Sequence, residues 1–416
     1  MAMVKTTTEI MEPAGSILHK AHAVLSEGLT AALGAHGADF LEGERGGGYL
    51  YDVDGNRYLD CYTGAGTCNL GRKNAEIIAA LRAAARETDQ GNFVMLSEDK
   101  ARMGERLARF LPGDLECMLL GVVRGEGMDA ACKLARGHTG RGGLVTVDGG
   151  WYGQTGFALT LSERADKGLF GDLIPGVTTV PYGDIAAARK AISRKTAAFV
   201  IEPVQAENHC RTADAGYFRE LRRLCSRKGA MLVFDETQTG FGRTGCKFAC
   251  EHLDVMPDIL IFGEAITGGL FPMTGIAFTR KLKSFFDAHP LIHLCTFGGH
   301  DVGCRVACAA MDVYERTRPW QNALLAGDML RNRLLDIARQ YPGVIRSVNG
   351  TGLLLSLSFA DESHANDFCI MAKKHGLFAM PGRVAKNSVV LRPALTLGLD
   401  EMESIARAVL RAAGEL

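Results

Sequence analysis

Short apolar runs alternate along the chain with segments whose apolar residues recur at helical spacing. Two of these runs, 231–234 and 259–262, are followed by carboxylates: Asp235 directly, and Glu264 after one glycine. In open α/β sheets, ligands bind just beyond the carboxyl ends of the strands. The pattern therefore predicts that Asp235 and Glu264 face one pocket. On spacing alone, both residues are equally well explained as ordinary caps at strand ends.

The same pattern predicts the order of the elements. A hairpin is expected over 48–60, because alternating apolar residues flank the turn sequence Asp54-Gly55-Asn56. A strand, a turn and a helix are expected in succession over 119–136, and strands near 197–205, 344–359 and 389–391. Helical spacing predicts helices over 16–33, 74–88, 98–110, 302–316, 323–340 and 364–375. Repeated units of this kind indicate an α/β fold.

Composition narrows the classes of function. The chain has 416 residues, with 47 basic and 47 acidic side chains and a formal net charge of zero. This balance gives no electrostatic reason to expect nucleic acid or an anionic membrane as a partner. The first residues lack the apolar core of a signal peptide, and no apolar run reaches the roughly 18 residues of a membrane span. A cytoplasmic location is therefore expected.

Cysteine usage agrees with that location. The twelve cysteines include no C-x-x-C pair and no histidines at zinc-binding spacing. We therefore expect reduced thiols, mostly buried, and no metal site.

The stretch around Asp235 carries a family resemblance. FDETQTGFGRTG at 234–245, followed by ACEHLDVMPDIL at 249–260, resembles the signature of class III aminotransferases, the ornithine/4-aminobutyrate/glutamate-semialdehyde group of pyridoxal-phosphate enzymes. The likeness extends from about Gly48 to the end of the chain. It implies the fold type I architecture, with a mostly parallel seven-stranded sheet in a large domain and a small α+β domain. The domain limits expected from it are 61–320 for the large domain, with 1–60 and 321–416 contributing to the small one.

One position departs from this family decisively. The resemblance places the lysine that forms the Schiff base with the cofactor at position 264, where this chain has a glutamate. A carboxylate forms no imine, but it serves as an acid or base, especially where burial raises its pKa. Glu264, Asp235 and Tyr152 are the expected catalytic residues, Tyr152 standing where the family has a histidine.

The turn that binds the cofactor phosphate in the family is also altered. The matching positions are 122–127, where Val123 replaces a serine hydroxyl and Arg124 replaces a glycine. Arg124 and Gly125 are kept as candidate cofactor-binding residues. Three outcomes are open for Arg124: it binds a phosphate or carboxylate, it fills the space of the cofactor, or it turns to solvent.

The resemblance implies roles for Asp235 and for four further residues on the cofactor side. Trp151 stands where a tyrosine ring stacks on the pyridine ring, with a buried core tryptophan as the alternative. Glu202 matches a glutamate near the ring hydroxyl, and Gln238 faces the same hydroxyl. Asp235 matches the aspartate that pairs with the pyridinium nitrogen. Thr296 matches a threonine that reaches the phosphate of the neighbouring subunit in family dimers.

Two residues are expected on the substrate side. Arg392 matches the arginine that binds the substrate α-carboxylate, and Glu207 matches a glutamate that pairs with a carboxylate-binding arginine in the ω-amino-acid branch. An amino acid or a small amine-bearing metabolite is the expected ligand, in a homodimer with shared active sites.

Two classes of function remain open. In the first, the chain is an enzyme with Glu264 as acid or base, Trp151 as platform and Arg392 as carboxylate anchor. Its cofactor is then either pyridoxal or pyridoxamine phosphate held without a covalent bond, or none. In the second, the chain is an inactive subunit or sensor that pairs with an active homologue. Conventional transamination is the outcome that Glu264 argues against.

Overall fold

The computed structural model describes residues 14–24, 26–164 and 166–416. The α-helices in these ranges are α1 Ala14–Val24, α2 Glu27–Gly34, α3 Thr63–Gly66, α4 Ala75–Glu87, α5 Glu98–Phe110, α6 Arg124–Thr139, α7 Gly156–Leu161, α8 Ile185–Ala191, α9 Ala215–Lys228, α10 Ala249–Leu253, α11 Arg280–Ala288, α12 Asp301–Thr317, α13 Pro319–Gln340, α14 Glu362–Lys374 and α15 Leu399–Gly414. The strands are β1 Glu42–Gly46, β2 Tyr49–Asp52, β3 Arg57–Asp60, β4 Cys117–Gly121, β5 Gly143–Val147, β6 Val177–Val180, β7 Thr196–Ile201, β8 Met231–Asp235, β9 Ile259–Phe262, β10 Thr274–Phe278, β11 Ser347–Thr351, β12 Leu354–Ser358, β13 Leu377–Phe378, β14 Met380–Pro381 and β15 Ser388–Leu391. Two 3-10 helices span Lys167–Phe170 and Glu264–Thr267.

A seven-stranded sheet with the order β4-β10-β9-β8-β7-β5-β6 forms the centre of the fold. Its strands are parallel except β10, which runs antiparallel to both of its neighbours. β7, β8 and β9 are buried at every position. Parallel strands covered on both faces have this continuous apolar character, so the apolar runs in the sequence become central strands. The predicted α/β architecture with a mostly parallel seven-stranded sheet is confirmed.

Two smaller sheets accompany the central one. The predicted hairpin is confirmed as β2 and β3, which belong to a sheet with the order β1-β2-β3-β13. The third sheet has the order β11-β12-β15-β14. One apolar cluster joins Leu59 and Cys61 to the residues of α13, α14 and α15. The domain limits at 60 and 320 stay a prediction.

The prediction of one continuous helix over 16–33 is wrong. The chain forms α1 and α2 instead, and Ser26 separates them with an extended backbone (φ 164°, ψ 130°). The Ser26 hydroxyl accepts a hydrogen bond from the backbone N–H of Leu29 at 3.3 Å, which caps α2. Apolar spacing continues across such a cap, so periodicity alone did not locate the break.

The other predicted helices agree with the structure to within a few residues. Asn74 and Ser97 cap α4 and α5 through their side-chain oxygens. All twelve cysteines are free thiols. Within the described ranges, no helix combines the length and the apolar character that a membrane crossing requires.

Candidate functional site

The carboxyl ends of the central strands bring the expected site residues to one edge of the sheet. β8 and β9 are neighbours, with Asp235 paired in register with Ile261. Asp235 ends β8, and Glu264 follows β9 after one residue. Glu202 follows β7, the other neighbour of β8. The topology therefore places three carboxylates from three adjacent strands in one region, as the sequence predicted for Asp235 and Glu264.

Glu236, the residue after Asp235, has a separate structural role. Its carboxylate accepts hydrogen bonds from the backbone N–H groups of Ala249 (2.6 Å) and Cys250 (2.8 Å) at the start of α10. A carboxylate in this position satisfies helix N–H groups that lack a partner within the helix. Capping therefore explains Glu236 and leaves Asp235 for the site.

Arg124 connects the two most buried carboxylates of the site. It is the first residue of α6, and its side chain is only 11% exposed. Its guanidinium donates to Asp235 Oδ2 from Nε (3.1 Å) and from Nη2 (3.0 Å), and Nη2 also donates to Glu202 Oε1 at 2.7 Å. Of the outcomes open for Arg124, the turn to solvent is excluded. The residue forms an internal ion cluster with Asp235 and Glu202.

Further hydrogen bonds fix the orientation of this cluster. Asp235 Oδ1 accepts from the backbone N–H of Thr237 at 3.0 Å, and Glu202 Oε2 accepts from the backbone N–H of Trp151 at 3.0 Å. Burial raises the pKa of Glu202; the charge of Arg124 opposes this rise and that of Asp235 adds to it. One cation therefore serves two buried carboxylates, and burial favours the protonated form of Glu202.

Glu264 lies half-buried at the first position of its 3-10 helix. Burial raises the pKa of its carboxyl group, while its own backbone N–H, the charge of Arg124 and the backbone N–H of Arg124 lower it. The Glu264 carboxyl group is thus close to the start of α6, and the residue is partly exposed. A partly exposed carboxyl group with a raised pKa is suited to proton transfer.

The start of α6 packs tightly against the turn that follows β5. A Cβ atom added to Gly125 would lie 2.6 Å from Thr155 Oγ1, and one added to Gly153 would lie 2.8 Å from the Cα atom of Gly125. Val123 precedes the helix and provides no side-chain cap. Backbone and side chains of the chain itself therefore occupy the space beside Gly125.

Trp151 lies at the outer side of this turn, half-buried. Two guanidinium groups stand over its ring, that of Arg383 at 5.4 Å and that of Arg164 at 5.5 Å from the ring centre. Arg164 is paired with Asp166, whereas Arg383 is exposed. Trp151 is therefore a platform for cations rather than a core residue.

A second cluster surrounds Arg392, which is 1% exposed. Its Nη1 atom donates to Glu207 Oε1 at 2.9 Å and to Gln238 Oε1 at 2.5 Å. Gln238 Nε2 in turn donates to the carbonyl oxygen of Ala65 at 2.9 Å. Ala65 holds a left-handed backbone conformation (φ 61°), as do Gly64 and Thr63. These bonds anchor a strained loop and engage Arg392 through Nη1, while its buried Nε atom has no hydrogen-bond partner.

A cavity of about 430 Å³ opens beside this second cluster. We call it the α2 cavity, because several residues of α2 form one of its walls. Tyr62, Glu207 and Arg392 line it on one side, and Met380, Arg383 and Lys386 on the other. Arg383 is not among the site residues expected from the sequence. An arginine in a loop between two short strands has no distinctive sequence signal, and only the fold brings it to Trp151.

Tyr152 and Thr296 form no hydrogen bond with the ion cluster of Arg124. Tyr152 is fully buried in an apolar cluster, and its hydroxyl accepts a hydrogen bond from Thr146 Oγ1 at 3.0 Å. Burial raises the pKa of Tyr152 well above its ordinary value, so the phenol stays neutral. This position gives no support to the expected catalytic role. Thr296 is exposed in the loop before α12, and its expected role in the site of a neighbouring subunit stays a prediction.

Comparisons with known proteins identify the family of the chain. The family model described as aminotransferase class-III matches residues 35–412. An uncharacterised aminotransferase of Archaeoglobus fulgidus is 34% identical over 369 residues, which cover 89% of this chain and 87% of that protein.

Solved structures show the same fold. The ornithine aminotransferase of Toxoplasma gondii, which has pyridoxal phosphate at partial occupancy in its active site, matches with a TM-score of 0.86 and 23% identity over 97% of this chain and 98% of its own. An (S)-enantioselective ω-transaminase of Thermomicrobium roseum matches with a TM-score of 0.89 and 24% identity over 97% and 99%. The fold is thus that of the fold type I aminotransferases, and the chain belongs to the aminotransferase class-III family.

Proposed function

We propose that this chain is a remodelled enzyme of its family that acts on a small amine- or carboxylate-bearing metabolite without pyridoxal phosphate. Glu264 is its acid or base, at the edge of the cleft. The observation that carries the proposal is the ion cluster in which the Arg124 guanidinium is bonded to both Asp235 and Glu202.

The residues on the ring side of the site do not fit the cofactor. The family's aspartate pairs with the pyridinium nitrogen, but here Asp235 Oδ2 already accepts two bonds from Arg124. Glu202, expected near the ring hydroxyl, is bonded to Arg124 and to the backbone of Trp151. A cofactor ring would have to displace a buried guanidinium and restore a partner to both carboxylates, which is costly at such burial.

The residues on the phosphate side do not fit either. Val123 has no hydroxyl group, and Gly125 is in contact with the turn that contains Gly153 and Thr155. The Glu264 carboxyl group lies near the first N–H of α6, the place where an anion would bind. When ionised, it repels a phosphate there. We therefore assign no step of the reaction to the cofactor.

The remaining chemistry rests on side chains of the chain itself. Burial keeps a proton on Glu264 to a higher pH than on an ordinary glutamate, which suits the carboxyl group to acid or base chemistry. Arg124 fixes the positions of the Asp235 and Glu202 side chains through its ion pairs with them. Trp151 presents its ring beside the cleft.

An absorbance experiment tests the cofactor part of the proposal. Purified protein is scanned in the near-ultraviolet and visible range, with and without added pyridoxal or pyridoxamine phosphate, before and after denaturation. We expect no bound chromophore and no saturable binding. A chromophore released on denaturation would refute the proposal. The double variant Arg124→Gly/Glu264→Lys serves as the comparison, because it removes the guanidinium and restores an amine.

Hydrogen exchange tests the catalytic part. Small amino acids and carboxylates are incubated with the protein in D₂O, and exchange of their carbon-bound hydrogens is followed by NMR. Glu264→Gln should lower the exchange rate by about 10²-fold or more, which is the usual contribution of a general acid or base. Glu116→Gln, at an exposed carboxylate paired with Arg280, is the matched control. Equal rates in wild type and Glu264→Gln would remove Glu264 from catalysis.

A second candidate function follows from the loop that contains Thr296. Leu294 and Phe297 beside it are about half exposed (49% and 48%), and Leu291 is 70% exposed. Exposed apolar residues in a group are typical of a protein interface. A subunit that completes the site of an active homologue would use this loop, whereas the enzyme proposed above would use it within a homodimer. Co-purification of a lysine-bearing homologue would favour the subunit role.

A further inference from the structure

The α2 cavity contains one cation that no carboxylate neutralises. Among the described residues that line it, Arg392 pairs with Glu207 at 2.9 Å and Lys386 pairs with Glu362 at 3.3 Å. Burial lowers the pKa of His36, also in the lining, so its imidazole is neutral at pH 7. The guanidinium of Arg383 forms no close ion pair with a described residue, although its charge helps to lower the pKa of Glu207. The lining therefore carries one uncompensated positive charge.

The loop that presents Arg383 is held rigidly. The backbone N–H of Arg383 donates to Glu207 Oε2 at 3.0 Å, and those of Val384 and Ala385 donate to the carbonyl oxygen of Glu207 at 3.1 and 3.0 Å. A Cβ atom on Gly382 would lie 2.9 Å from that same carbonyl oxygen, so the approach of the two backbones requires glycine. A fixed backbone carries a free guanidinium, which suits ligand binding.

Trp151 determines where this guanidinium stands. The ring lies 5.4 Å from the Arg383 guanidinium, a distance at which a cation is attracted to an indole face. The side-chain N–H groups of Arg383 donate to no described residue, so they are free to donate two parallel hydrogen bonds to a carboxylate. Arg392, in contrast, is bonded to Glu207 and Gln238 and is 1% exposed.

We infer that Arg383, stacked on Trp151, binds the carboxylate of the ligand in the α2 cavity, and that the ligand is a small monocarboxylate with an apolar body. This inference rests on the proposed function, because it places the ligand of that function. It assigns to Arg383 the role that the family resemblance gave to Arg392.

The charge and the walls of the cavity decide the class of ligand. One unpaired cation matches one negative charge, whereas a dicarboxylate or a phosphate would bring a second charge without a partner. The walls next to Arg383 are mainly apolar, with Leu29, Leu33, Met380 and Pro381 among them. An apolar chain or ring of the ligand is buried there, and a volume of about 430 Å³ suits a small metabolite.

Tryptophan fluorescence measures this binding directly. The chain has two tryptophans, so the Trp320→Phe background leaves Trp151 as the only emitter. Hexanoate, glutarate and hexylamine are titrated into this protein and into its Arg383→Gln and Arg383→Lys variants. We expect saturable quenching by hexanoate and weaker binding of glutarate and hexylamine. Arg383→Gln should weaken hexanoate binding by about tenfold or more, and Arg383→Lys should restore part of it.

Arg164 provides the matched control. Its guanidinium stands over the same ring, but it is paired with Asp166 and does not line the α2 cavity. Arg164→Gln should therefore leave hexanoate binding unchanged. The inference would be overturned if both glutamine variants weakened hexanoate binding equally, or if Arg383→Gln left the affinity unchanged. It would also be overturned if hexylamine or glutarate bound more tightly than hexanoate, or if hexanoate did not bind at millimolar concentration. None of these measurements involves pyridoxal phosphate, so they test the inference independently of the absorbance experiment, which tests the proposed function.

Discussion

Replacing Arg124 by methionine provides the most direct test of the ion cluster. The side chains of Glu202 and Asp235 are 1% and 0% exposed, and Arg124 is the cation bonded to both. Removing one member of a buried ion pair costs about 3–5 kcal/mol, because the remaining charge is buried without compensation. Here two carboxylates lose the same partner, so we expect Arg124→Met to lower the free energy of unfolding by at least that range.

Equilibrium unfolding in urea, with a double-mutant cycle, measures the effect. Glu202→Gln removes one of the two carboxylates, so the double variant Arg124→Met/Glu202→Gln should lose less stability than the two single variants combined. Arg280→Met, at an exposed arginine paired with Glu116, is the control and should change the unfolding midpoint little. A loss of less than about 1 kcal/mol for Arg124→Met would refute the reasoning, because it would mean that the two carboxylates need no buried cation.

Three further predictions concern the neighbouring carboxylates. Burial raises the pKa of Glu202 from 4.5 to about 7. The contribution of Glu202 to stability is therefore present below pH 4.5 and is lost as the pH rises through about 7. Glu202→Gln should remove this part of the pH dependence, measured by urea unfolding at several pH values. Glu264→Lys alone should not bind pyridoxal phosphate covalently, because Arg124 still occupies Asp235 and Glu202; an absorbance band lost on borohydride reduction would contradict this. Glu207→Gln leaves Arg392 buried without its carboxylate and should lower the free energy of unfolding by about 3–5 kcal/mol, measured by thermal or urea unfolding. An unchanged midpoint would show that the bond to Gln238 is enough to stabilise the buried Arg392.

The sequence by itself determined the elements and the family of this protein. Apolar runs such as 231–234 and 259–262 predict buried strands because parallel strands covered on both faces need apolar side chains at every position. Turn and capping residues, Asp54-Gly55-Asn56 and Asn74 among them, act within a few residues of their own position. Local rules therefore located the hairpin and most of the helices, and Asp235 and Glu264 at the ends of neighbouring strands.

Tertiary structure alone decided what these residues contact. The sequence left three outcomes for Arg124, and the position of α6 beside β7 and β8 selected the bond to Glu202 and Asp235, which lie 78 and 111 residues away. Arg392 is paired with Glu207, 185 residues away, and a loop bonded to Glu207 brings the Arg383 guanidinium to 5.4 Å from the ring centre of Trp151. A long charged side chain pairs with whichever carboxylates lie within hydrogen-bond distance of it. Those carboxylates are brought close by the packing of elements that are distant in sequence, so local sequence rules do not predict the pair.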